Sequence, residues 1–204
     1  MASTETQLDR ALALLRRGHI MRMSEFRRAG ITAATIARLE KAGKLSRLAR
    51  GLYQLPDALV GTHHTLAEAT KLVPRGIVCL TSALAFHGLT DQMPARVWLA
   101  IGPKDWRPQL KYPPMRFARF PSKQLRSGVE HHTIEGVPVP IFSISKTVAD
   151  VFRYRRTVGI AIAIEGLRVA IRQRKTTPGE IARDASDGGV WKVIEPYVSA
   201  LTSG

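Results

Sequence analysis

The chain has 204 residues, 45% of them hydrophobic, room for one large or two small packed domains and too apolar for a disordered segment. Thirty-one Lys and Arg stand against sixteen Asp and Glu, giving +15 and a pI near 10.9. The expected partner is therefore a polyanion: nucleic acid first, an acidic protein or membrane surface second.

Cys79 is the single cysteine, which excludes an intramolecular disulfide and a cysteine-rich zinc site. It lies in the apolar run Ile77-Val78-Cys79-Leu80, where a free thiol is a small core residue. No stretch approaches the roughly 20 apolar residues that span a bilayer. Glu5 and Asp9 come early with no apolar h-region, so no signal peptide is expected and the expected location is cytoplasmic, without a membrane partner.

Taken in order, Thr4 to Arg17 predicts an amphipathic helix with Leu8, Ala11, Leu12 and Leu15 on one face, ended by Gly18. Arg10, Arg16 and Arg17 face out, the last two complementing the helix dipole. The segment from Met23 to Pro56 then reads as a short helix, a turn, a second helix and a ribbon. Ser24 is the candidate cap of the short helix, which runs to about Ala29, and Gly30 supplies the corner. Thr32 caps the second helix, Ile36 and Leu39 form its inward stripe, and Gly43 occupies C′. The opposite face carries Ala34, Ala37, Arg38 and Lys41, small and cationic, as a helix entering a major groove requires. Leu45 to Leu55 alternates as a hairpin turning at Arg50-Gly51, with Arg47 beside it, in the position of a wing. Residues 1–56 hold eleven Lys/Arg against four Asp/Glu, +7 in about a quarter of the chain, so charge density peaks on the segment that resembles a groove reader.

Asp57 to Thr62 reads as a linker, and the domain division is expected at residues 58 and 59: a winged helix-turn-helix domain at 1–58, then an α+β domain at 59–204. His63-His64-Thr65 starts a helix to Leu72, which Pro74-Arg75-Gly76 breaks. Strands are expected at Ile77–Leu80, Ala95–Gly102, Met115–Phe120, Val129–Ile134 and Val137–Phe142. Glu135-Gly136 makes the last hairpin turn, and Pro138 and Pro140 predict an edge position for the last strand. Thr81 or Ser82 caps a helix through Phe86. Ser143 or Ser145 caps Lys146–Arg153, and Gly159–Arg174 is a long helix with Ile160, Ala163, Ile164, Leu167 and Ile171 apolar. Thr177-Pro178-Gly179-Glu180 has capping-box spacing with proline at N1. Gly188-Gly189 stops that helix before a last one from Trp191 to Ala200, kinked or delayed by Pro196. Strands followed by helices predict α+β rather than a doubly wound sheet.

No segment fits a glycine-rich phosphate loop, so nucleotide binding of that kind is unsupported and no cofactor is expected. Ser82 and His87, five apart on a helix, point about 140° apart, which argues against a triad with Asp91. His63-His64 and His131-His132 each offer at most one ligand to a site, and no carboxylate or cysteine completes a zinc set. Asp150 and Glu165 read as acids paired with nearby arginines. Two basic stretches remain, and both admit phosphate contact or a solvated face. Lys104 to Arg126 carries Lys104, Arg107, Lys111, Arg116, Arg119, Lys123 and Arg126, with Trp106, Tyr112, Phe117 and Phe120 interleaved. Arg153 to Lys175 carries seven cations against Glu165.

Three segments, ARLEKAGKLSRLARGLYQLP, VCLTSALAFHGLTDQMPARVWLAI and ISKTVADVFRYRRTVGIAIAIEGLRVAI, in that order, resemble the AbiEi-type antitoxins of type IV toxin–antitoxin systems. The resemblance implies a bacterial repressor whose winged helix binds inverted repeats in its own promoter. It also implies a C-terminal domain that supports cooperative binding and counteracts a nucleotidyltransferase-like toxin, without a stable complex. It implies DNA-reading positions Thr32, Ala34, Thr35, Arg38 and Lys41, with Lys44, Arg47 and Arg50 from the wing side. Two rival readings are a stand-alone regulator with a ligand-sensing second domain and a nuclease with a winged-helix targeting module. Isolated acids without a paired-carboxylate motif speak against the nuclease.

Overall fold

A computed structural model of the chain describes residues 6–18, 20–58, 61–110 and 112–202. Thr4 of the expected first helix, Leu59 and Val60 of the expected linker, and Lys111 lie outside them. The backbone divides into two units: 1–74 with 133–139, and 75–132 with 140–204.

In the first unit, α1 (Gln7–Gly18) is capped by a reciprocal pair: Thr6 Oγ1 donates to Asp9 Oδ2 at 2.6 Å, and Asp9 N donates to Thr6 Oγ1 at 3.2 Å. The Thr6 hydroxyl bond foremost, then Thr6 N donating to the same carboxylate oxygen at 3.3 Å, hold the Asp9 carboxyl below the usual carboxylate range. The stripe buries Ala11 and Leu15 and packs Leu8 and Leu12 partly against the same core. A strand follows that the residue pattern did not predict, β1 (Ile20–Arg22), too short to show an alternation. In α2 (Met23–Arg28) the cap is Arg22, not Ser24: Arg22 N donates to Glu25 Oε2 at 2.6 Å. Gly30, at φ +74°, lets Ile31 N reach Phe26 O at 2.9 Å, closing α2 in a Schellman turn.

Thr32 caps α3 (Ala33–Lys41) by accepting from Thr35 N at 3.2 Å. Gly43, at φ +68°, ends it the same way, with Lys44 N donating to Leu39 O at 2.9 Å. The wing is β2 (Ser46–Ala49) and β3 (Leu52–Gln54), turning at Gly51. It belongs to a three-stranded antiparallel sheet, β1-β3-β2, in which Met21 and Arg47 both face Tyr53 across the ladder. Phe26, Ile31, Ile36, Leu39, Leu45 and Tyr53 close the core on α1.

The helix α4 (His64–Leu72) also packs in this unit, past the division expected at residue 58. Lys71 Nζ lies 2.6 Å from Glu25 Oε1, and Arg22 Nη2 donates to Leu72 O at 3.4 Å. Segment 133–139 is held by Glu135, whose carboxylate accepts from His64 Nδ1–H at 2.7 Å and from Gly61 N at 2.8 Å. These partners are far apart in sequence, so composition near residue 60 could not show where packing divides.

The second unit takes β4 (Ile77–Val78), α5 (Leu80–Phe86), β5 (Val97–Ile101), β6 (Met115–Arg119) and the short α6 (Ser122–Leu125). The hairpin β7 (Val129–Ile134) and β8 (Val137–Phe142), whose residues 133–139 count with the first unit, completes a mixed sheet ordered β6-β5-β4-β8-β7. β8 is thus internal, correcting the edge position expected from its prolines. In a two-residue hairpin Val137 exchanges bonds with Ile134, so Pro138 and Pro140 turn their nitrogens away from β7. They point to the side of β4, which is two residues long and pairs with β8 at Val78↔Ile141. The N-cap of α5 is Cys79 rather than Thr81 or Ser82; Ser82 Oγ instead accepts from Trp98 N at 2.9 Å, pinning α5 to β5.

The remaining chain is helical: α7 (Ile144–Arg153), α8 (Arg155–Val158), α9 (Ile160–Arg172), α10 (Pro178–Asp187) and α11 (Trp191–Thr202). α7 is the hub, packed by α5, α9, α10 and α11 and buried continuously from Lys146 to Phe152. Ile160 is exposed, so the buried stripe of α9 begins at Ala163. Thr177 and Glu180 form the expected capping box on α10. Strands then helices, behind an N-terminal winged helix, make the chain α+β.

Candidate nucleic-acid interface

On α3 the burial of Ile36 and Leu39 at 1% exposure or less leaves Ala34, Ala37, Arg38 and Lys41 on the open face. Thr32 stands exposed at its N-terminus, Lys44 follows its end, and Arg47 and Arg50 project from the wing. Arg47 Nε lies 3.4 Å from Ala49 O, across the bulge in β2. Alanines flanked by cations leave room for a groove wall and supply charge to it.

Thr35 does not share that face. It is buried at 1% exposure, because its hydroxyl donates to Gln7 Oε1 at 2.9 Å and lies 3.0 Å from Thr32 Oγ1. Gln7 also accepts from Thr32 N at 3.3 Å, tying the first turn of α1 to the first turn of α3. Thr35 thus joins α3 to α1, with Arg38 Nη2 3.5 Å from its oxygen. The residue pattern shows no sign of Gln7's role, since its partners lie 25 and 28 positions away.

In the second basic stretch several cations already have partners. Arg119 donates to the carbonyls of Gly102, Pro103 and Asp105, holding the turn after β5. Arg116 lies over the Trp98 ring at 5.4 Å and Arg107 over Phe117 at 5.8 Å. Lys104, Lys123 and Arg126 are exposed; Lys111 lies outside the described residues. In the third stretch Lys175 Nζ donates to His87 O at 2.7 Å, capping α5, and Arg153 donates to Gln124 Oε1.

The catalytic candidates are placed apart. Ser82 is occupied by the backbone of β5, and His87 Nε2–H donates to Phe142 O at 2.8 Å. Burial, the largest cause, pushes the His87 imidazole below its usual range. Glu165 accepts from Thr90 Oγ1 at 3.0 Å, and Asp150 pairs with Lys146, not with an arginine. Among the described residues no group of three His, Cys, Asp or Glu gathers in a way that could hold a metal. Among them, too, no helix is long and apolar enough to cross a membrane.

The helices, turn and wing are together what a family comparison recognises. Residues 9–56 match the family model of the AbiEi antitoxin transcriptional regulators. The AbiEi segment begins inside α1 and ends just past β3, so it takes in the whole exposed cationic face of α3 and both wing strands. No curated protein matches the chain. Among solved structures, the RV2827C protein from Mycobacterium tuberculosis is similar over 97% of this chain and 76% of that one, with a TM-score of 0.62 and 13% identity. At that identity the likeness is one of fold.

Proposed function

We propose that this protein is a DNA-binding autorepressor and the antitoxin of a type IV toxin–antitoxin pair. It acts in the cytoplasm without catalysis of its own. The carrying observation is that the AbiEi segment exposes Ala34, Ala37, Arg38 and Lys41 along one side of a capped helix whose other side is core. In this reading α3 enters the major groove of inverted repeats in the gene's own promoter. Arg38 reads a base edge, Lys41 and Lys44 meet adjacent phosphates, and Arg47 and Arg50 follow the backbone from the wing. Thr32 and Ala34 stand at the groove end of the helix, where a small surface permits close approach. The second unit counteracts a nucleotidyltransferase-like toxin without forming a stable complex with it.

The test is fluorescence anisotropy with the upstream region of the gene, titrated at several salt concentrations. Arg38→Ala should weaken specific binding by about 1–3 kcal/mol and relax preference at one base position. Lys44→Ala should lower affinity evenly across sequences and reduce the salt slope by about 1. Unchanged specific binding by an Arg38→Ala, Lys41→Ala double variant would remove α3 as the reader.

A further inference from the structure

Parallel neighbours in a sheet are joined by a crossover, usually a helix that covers one face. Here β5 and β6 are parallel, in register from Val97↔Met115 to Ile101↔Arg119, and the crossover between them, 102–114, forms no helix or strand in its described residues. β6 is also the terminal strand of the sheet. The result is a groove of about 980 Å³ along β6, lined by Arg96, Trp98, Trp106, Arg107, Arg116 and Phe117 among others.

Its chemistry is uneven in a way that selects a ligand. Asp105 is the one acid among the described lining residues, and its carboxylate is engaged by Gly102 N at 2.8 Å and Arg75 Nη1 at 3.2 Å. Three of the arginines, Arg96, Arg107 and Arg116, are exposed. Arg116 and Arg107 lie over the rings of Trp98 and Phe117, so guanidinium groups cover those two rings. Trp106 is 78% exposed on the groove wall, where an indole gains from a flat partner.

Phosphate alone would explain the arginines and not the exposed indole. A duplex keeps its base faces stacked inside, so it can use the arginines and leave the indole idle. A single strand satisfies both, with phosphates on the guanidinium groups and an unpaired base on the Trp106 ring. We propose that this groove is a second nucleic-acid site, specific for single strands and separate from the winged helix. An acidic peptide added to the free edge of β6 is the competing occupant; it would use that edge and the arginines without requiring Trp106.

The experiment uses the full-length chain and labelled mixed-sequence RNA and DNA single strands of about 12 nucleotides, within the usual range of such sites. The corresponding duplex and an acidic peptide of similar length serve as competitors. The unaltered protein should bind the single strand, and Trp106→Ala should weaken that binding about ten-fold, the scale of one base–aromatic stack. Trp106→Phe should restore most of it, Arg96→Ala should flatten its salt dependence, and promoter binding should stay unchanged in all three. The Arg38→Ala, Lys41→Ala variant should keep the single strand, so failure of the promoter reading leaves this result readable. Comparing the RNA and DNA strands tells which sugar is accepted. The proposal is overturned by absence of single-strand binding, by equal affinity in Trp106→Ala, by loss of the single strand in the α3 variant, or by displacement with the duplex or peptide more readily than with unlabelled strand.

Discussion

Asp150 sits in the middle of α7 at 2% exposure, one turn beyond Lys146, which is 6% exposed. Lys146 Nζ stands 3.1 Å from Asp150 Oδ2 and lies 4.4 Å from the centre of the Phe142 ring. Two opposing effects meet here. Burial disfavours the carboxylate, Lys146 and Arg153 favour it, and burial wins: the Asp150 carboxyl is raised to about 6. In the unfolded chain the same group titrates near its ordinary value of 3.8. Between those two values the folded protein holds the proton more tightly than the unfolded one. Asp150 therefore contributes stability that is fully present below about pH 4 and lost as pH rises through about 6. The displacement corresponds to roughly 3 kcal/mol at most, an order-of-magnitude figure for a buried pair.

The perturbation is Asp150→Asn, which keeps the shape and removes the titration. Other groups tilt the profile too. The raised Glu68 acts in the same direction; the lowered Asp9 and Glu180 carboxyls and the lowered His87 act in the opposite one. The difference between protein and variant isolates Asp150. Urea unfolding at pH values from about 4 to 8, followed by tryptophan emission, reads the second unit specifically, because Trp98, Trp106 and Trp191 all lie in it. The variant should gain on the unaltered protein by about 1–3 kcal/mol over that range. A difference that stays flat, or that moves in favour of the aspartate as pH rises, would refute the reasoning, for it would mean that Lys146 outweighs burial.

Two further outcomes test the first unit. Gly136 has φ +71°, and a methyl group there would lie 2.7 Å from Arg17 O, so Gly136→Ala should cost at least about 1–2 kcal/mol in thermal or urea unfolding followed by circular dichroism. Gln7→Ala removes the acceptor of the buried Thr35 hydroxyl, part of whose loss the Thr32 oxygen at 3.0 Å can offset; about 1 kcal/mol of protection should vanish from the α3 amides in hydrogen exchange, while amides of the second unit are unaffected.

Much of the winged segment was legible because its determinants are local. The Thr32 cap bonds three residues ahead, Gly30 and Gly43 close helices within six residues, and the stripe of Ile36 and Leu39 repeats at the helical period. The capping box of Thr177 and Glu180 belongs to the same class. Each of these is a contact the chain makes with its own near neighbours, so residue order alone determines it, and with it the exposed cationic face of α3. Tertiary structure decided what depends on distant partners. β1 exists because β3 pairs with it, and β8 accepts two prolines because β4 is too short to need their nitrogens. Thr35 is turned inward by Gln7, and Arg119 is drawn to the carbonyls after β5. Asp150 was legible as an acid in a helix, but its raised carboxyl comes from four helices closing around α7. The groove beside β6 likewise gathers Arg96, Trp106 and Arg116 across a crossover. Periodicity describes one element at a time, whereas burial and charge pairing are properties of the elements packed together.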